Sequence, residues 1–133
     1  MTRNIRALLR NALLWLAMRL PSAIANRLIR WRFPAVTQRS AGSLFFAQQS
    51  ATPAFIDVRG ITLQRVRERI TDYRYRQPHG VVVLVCEIGY CSSRLAAELA
   101  ETGIDGVENL EGGLRALRRL RREINAYAAQ RTA

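Results

Sequence analysis

The chain has 133 residues, nearly half of them hydrophobic, which suits one small domain with an appended segment and a real core. Its formal charge is +11, and all 21 of its basic residues are arginine. Two cysteines and one histidine exclude a disulfide framework and a zinc site of the usual four-ligand kind.

The charge is unevenly spread. Arg3, Arg6, Arg10, Arg19, Arg27, Arg30, Arg32 and Arg39 fall within residues 1–39, a stretch without a single Asp or Glu. The remainder is only mildly basic. Residues 1–33 therefore read as a basic arm, and residues 34–133 as the domain proper.

The first element, "MTRNIRALLRNALLWLAMRL", is a helix stopped by Pro21. Ile5, Leu8, Leu9, Ala12, Leu13 and Leu16 share one helical face, with Arg3, Arg6 and Arg10 opposite. The charge-free run between Arg10 and Arg19 is eight residues, against about 20 apolar residues for a membrane span. A second helix, "SAIANRLIRWRF", follows Pro21 and places Ile24, Leu28 and Trp31 on one side. The pair is expected to lie on an anionic membrane surface, with Trp15 and Trp31 at the interface. The alternative is packing on the domain or on another subunit. The expected location is the cytoplasm, peripheral to the inner face of the membrane. "AIA" at Ala23–Ala25 faintly matches a cleavable signal, but Arg19 interrupts the apolar stretch such a signal needs.

After a junction, "SAGSLFFAQQS" makes one short helix with Leu44 and Phe45 inward. "AFIDV" is a β-rich strand. "ITLQRVRERITDYRYR" is a helix with Leu63, Val66 and Ile70 at helical spacing, and "QPHG" is a turn. "VVVLV" is a strand apolar on both sides, the mark of a parallel sheet covered by helices on two faces. "SSRLAAELAE" is a helix capped by Ser92 or Ser93 and ended by Gly103. "GVENL" is a strand, "EGG" a tight turn, and "LRALRRLRREINAYAAQ" a closing helix with Leu114, Leu117, Leu120, Ile124 and Tyr127 on its apolar face. This alternation spells an α/β fold with a small parallel sheet. Tyr73, Tyr75, Arg76 and His79 read as surface.

Cys86 stands where "VVVLV" runs into a short loop and a helix. In parallel α/β sheets, ligands gather at the carboxyl ends of strands. Gly89 lets the loop turn sharply, so several N–H groups converge near the helix start and favour an anion there. Such a field lowers a thiol pKa and makes the thiolate nucleophilic. Against this stands the buried cysteine that serves only as a small hydrophobe.

Three stretches in order, "FIDVRG", "VVVLVCEIGYCSSRLAAELAETG" and "VENLEGGLRAL", resemble the landmarks of the rhodanese-like sulfurtransferase domain. The resemblance spans about residues 36–120. It implies that Cys86 carries a persulfide. Glu87, Ile88, Gly89, Tyr90, Cys91 and Ser92 would form the substrate-binding loop, and Asp57, Arg59, Gly112 and Gly113 structural motifs. The partners implied are a sulfane sulfur donor and a thiol acceptor, with no cofactor. The alternative is a non-catalytic module of the same fold used for protein contacts or tethering. The chain departs from the family pattern in two ways. Only 28 residues separate Asp57 from Cys86, so the sheet is expected to be trimmed. Glu87 and Cys91 stand where the family loop often has Arg, which disfavours thiosulfate and leaves a persulfidated thiol as the easier donor. Cys91 reads either as a resolving thiol or as an incidental small residue. A phosphatase loop would need Arg at position 92, which is Ser92. Arg118, Arg119, Arg121 and Arg122 form a basic cluster, but no nucleic-acid motif accompanies it.

Overall fold

A computed structural model describes residues 2–46 and 53–132. In chain order these form α1 (Thr2–Arg19), α2 (Ser22–Arg32), β1 (Gln38–Arg39), α3 (Ala41–Phe46), β2 (Ala54–Asp57), α4 (Leu63–Arg76), β3 (Val82–Val85), α5 (Tyr90–Glu101), β4 (Val107–Leu110) and α6 (Gly113–Thr132). The expected burial of Leu44 and Phe45 lies outside the described side chains, and the "AQQS" end of that stretch outside the described residues.

The four strands make one parallel sheet in the order β1-β4-β3-β2. The protein is an α/β fold with helices on both faces of that sheet. β3 is buried along its whole length, as its unbroken apolar run requires. Side chains alternate along it. Val82 and Leu84 pack with Val66 and Ile70 of α4 and with Leu95, Ala96 and Leu99 of α5. Val83 and Val85 pack on the other face with Leu110, Ala41, Leu114 and Leu117. Each such side chain contributes roughly 1.5–3 kcal/mol by leaving water.

α4 is capped by Thr62, whose hydroxyl accepts the Arg65 amide at 3.2 Å. Tyr75 and His79 are exposed, as expected, but Tyr73 packs half-buried against the core below Gly80. β1 was not anticipated. It is two polar residues long, and β4 holds it through the Asn109 amide on Thr37 O and the Glu111 amide on Arg39 O, both at 2.9 Å.

The basic arm packs on the domain. Leu13, Leu14 and Ala17 of α1 join Ile29 and Phe33 against Ile88 and Tyr90. Phe33 meets Tyr90 edge-on, with ring centroids 5.4 Å apart. Two polar ties reinforce the seat: Arg30 pairs with Glu111 at 2.5 Å, and Arg119 donates to Ser22 Oγ at 2.8 Å. Among the described residues, no helix is long and apolar enough to cross a membrane.

Candidate active site

Cys86 follows the last residue of β3, at the carboxyl end of the sheet. The chain then turns through Gly89, whose φ of +93° is open to glycine and strained for other residues. Helix α5 starts at Tyr90, earlier than the sequence suggested. Ser92 and Ser93 therefore do not cap it; they lie buried inside its first turns. That shift directs the donors of the first turn at the cysteine. Cys86 Sγ accepts the Gly89 amide at 3.1 Å, the Ser92 amide at 3.4 Å and the Ser92 hydroxyl at 3.1 Å.

The loop's carbonyls point the other way, and α6 takes them up. The Leu114 amide donates to Cys86 O at 2.9 Å and the Arg115 amide to Glu87 O at 3.1 Å. This contact requires Gly113: a Cβ there would sit 2.2 Å from Cys86 O. Gly112 and Gly113 both adopt positive φ, so the "EGG" turn is the device that brings the start of α6 under the cysteine loop. With its carbonyls occupied, the loop is held with its amides facing the sulfur.

A buried polar chain stands behind the hydroxyl. Ser92 Oγ contacts Asn109 Oδ1, Asn109 Nδ2 donates to Gln38 Oε1 at 2.6 Å, and Gln38 Nε2 donates to Ser93 Oγ at 3.0 Å. Ser92, Ser93 and Asn109 have no exposed surface. A serine hydroxyl has one proton. It therefore donates either to the Cys86 sulfur or to Asn109 Oδ1. Sequence reasoning missed Asn109 and Gln38. The available signal was a polar residue at a buried position of "VENL".

The neighbouring Cys91 thiol, then the Ser92 hydroxyl and amide and the Gly89 amide, hold the Cys86 thiol well below its ordinary range, at about 5, against burial, which acts in the opposite direction. Cys91 moves upward, because its proton is held by Cys86 and because it is half-buried. Both cysteines are free thiols.

Cys86 is only 4% exposed, yet it faces a cleft of about 520 Å³. One wall is α1, through Arg10, Leu14 and Met18. A second is the segment after β2, from Val58 to Ile61, and a third is α5, through Cys91, Arg94 and Leu95. The arm thus builds part of the site, which composition alone did not suggest.

No family model matches the chain, and no curated protein matches it. Among solved structures, the chain is similar to an NAD-dependent persulfide reductase from A. fulgidus, at 24% identity and a TM-score of 0.48. The match covers 71% of this chain and 18% of that one, so the chain spans less than a fifth of that protein's length.

The loop residues named from the sequence divide by environment. Glu87 and Cys91 line the cleft, and Gly89 and Ser92 touch the sulfur. Ile88 lines the cleft while packing under the arm. Tyr90 is buried against Phe33 and does not face the cleft. Asp57 and Arg59 form a tight pair: the Arg59 amide donates to Asp57 Oδ1 at 3.0 Å, and the guanidinium to Asp57 Oδ2 at 2.8 Å. That pairing holds the Asp57 carboxyl below its usual range. Arg59 also reaches Glu87 at 3.5 Å, and Arg118 pairs with Glu87 from α6. Glu87 is lowered by Arg118 first, then by Arg59 and Arg115. Its charge at the rim is therefore compensated, not bare as the sequence alone implied.

Proposed function

We propose that the protein is a rhodanese-like sulfur carrier that moves sulfane sulfur through a persulfide on Cys86. The observation that carries this reading is the set of donors at 3.1–3.4 Å around the sulfur of Cys86, a residue that lines a cleft. The ordered sequence motifs support it. The Cys86 thiolate attacks the outer sulfur of a donor persulfide, R–S–SH. The S–S bond breaks, R–S⁻ leaves, and Cys86 is left as Cys86–S–SH. An acceptor thiolate then takes the outer sulfur, and Cys86 returns to the thiolate. The same donors that hold the thiolate stabilise it as the leaving group in the second step. Leu14, Met18 and Leu95 suit the organic part of a persulfide donor, and Arg10, Arg59 and Arg94 on the same walls suit an anionic group on it.

The test is intact-mass and peptide analysis after incubation with a thiol persulfide. One sulfur, about 32 Da, is expected on Cys86 and is lost in Cys86→Ser. The burial of Cys86 is the observation on the side of a non-catalytic module used for protein contacts. An unmodified Cys86 after thiosulfate, polysulfide and organic persulfide alike decides for that module.

A further inference from the structure

α1 is apolar on two sides, and only the smaller one, Leu13, Leu14 and Ala17, meets the domain; Leu13, expected on the face of Ile5, Leu8, Leu9 and Leu16, is turned inward. Ile5, Leu8, Leu9, Trp15 and Leu16 recur at helical spacing and stand in solvent, with Leu8 68%, Leu9 60% and Trp15 57% exposed. The opposite side carries Arg6 and Arg10, which border clefts against α5, together with Leu13, Leu14 and Ala17. A helix evolved only to cover its own domain buries its most apolar stripe; α1 presents that stripe outward. α2 adds exposed Ile24 and Trp31, the latter 73% exposed, with exposed Arg27 between them by spacing. Arg19 lies over the Trp15 ring at 4.1 Å.

We infer that this stripe is the surface by which the protein lies on an anionic lipid bilayer, α1 in the plane of the interface. Charge decides between the two main occupants. A second copy would meet the patch by two-fold symmetry, like against like. Arg30 and Arg39 are paired with Glu111 and Glu108, and Arg6 and Arg10 border the domain, but Arg19 and Arg27 stand exposed at the patch and the arm brings no acid, so such an interface would gather positive charge without a counter-charge. A bilayer bearing anionic headgroups supplies the opposite charge, and its acyl region takes the Leu, Ile and Trp side chains. α1 is too short and too charged to cross. The opposite side of the same helix supplies Arg10, Leu14 and Met18 to the Cys86 cleft, so docking sets that cleft about one helix diameter, roughly 10 Å, from the interface. The docking itself does not depend on sulfur chemistry at Cys86.

Both tryptophans of the chain are in these two helices, so intrinsic fluorescence reports on the arm alone. The test uses the full chain with vesicles of phosphatidylcholine alone, or with about a third phosphatidylglycerol. Expected are flotation with the anionic vesicles, a blue shift of the emission, and binding weakened about tenfold or more when salt rises from about 0.05 to about 0.5 M. Leu8→Glu/Leu9→Glu and Trp15→Glu change side chains that face solvent. They are expected to lose vesicle binding about tenfold while circular dichroism and thermal unfolding match the parent chain. Equal binding to neutral vesicles, or no binding to either, overturns the inference. So does a concentration-dependent dimer that Leu8→Glu/Leu9→Glu converts to monomer without any vesicle binding by the parent.

Discussion

Replacing Cys91 with alanine isolates what the neighbouring thiol adds to the stability of the Cys86 thiolate. Three hydrogen bonds from Gly89 and Ser92 converge on that sulfur, and the neighbouring Cys91 thiol is the first influence lowering its pKa. A hydrogen bond to a charged group is worth roughly 1.5–3 kcal/mol, and one pKa unit about 1.4 kcal/mol. Loss of this thiol should therefore raise the Cys86 pKa by about one to two units from its value of about 5. Three donors remain, from Ser92 and Gly89, so the thiol should stay below an ordinary cysteine. The assay is the rate of alkylation by iodoacetamide against pH, with the modified residue located by peptide mass. Cys91→Ser keeps an O–H in place of the S–H and should restore most of the shift. The reasoning is refuted if Cys91→Ala leaves the midpoint where it was, or if serine and alanine behave alike.

Three further outcomes follow from the same geometry. Because the folded-state pKa of Cys86 is depressed, the native state sheds its proton first. Stability relative to Cys86→Ala should rise with pH from about 5 toward 9, by up to about 1.4 kcal/mol per pH unit, and be lost as pH falls through about 5; chemical denaturation across that window reads it, and a flat difference contradicts it. Gly113→Ala places a Cβ 2.2 Å from Cys86 O at a φ of +58° and should cost about 2 kcal/mol or more, seen as a lower denaturation midpoint and a slower-alkylating Cys86. Asn109→Leu leaves the Ser92 hydroxyl and the Gln38 amide without their buried partner and should cost about 1–3 kcal/mol, with a raised Cys86 midpoint in the same alkylation assay.

The parts of the fold legible in the sequence were those governed by local pattern. "VVVLV" is apolar at every position because both faces of β3 are covered, and the periodicity of α4 and of the first turns of α6 marks the faces they bury; further along α6, Tyr127 of the expected apolar face is exposed, because the helix runs past the sheet. The position of Cys86 was legible for the same reason: the strand stops and a glycine-bearing loop begins. What was not legible depends on distant partners. β1 is a strand only because β4 binds it, and Gln38 meets Asn109 across 71 positions of sequence. The start of α5 was displaced because serines signal caps in isolation, whereas here the cysteine loop draws the first turn onto the sulfur. The orientation of α1 was also hidden. An amphipathic pattern tells that a helix has two faces, not which one its own domain will take.

Sulfur relay through Cys86 is tested most directly by single-turnover transfer. The chain is loaded with isotopically labelled sulfur from an organic persulfide, freed of donor by gel filtration, and mixed with an excess of a small thiol. About one labelled sulfur per chain should be retained and then pass to the thiol, with none retained by Cys86→Ser. Label that never binds, or that stays on the Cys86→Ser chain, contradicts the account.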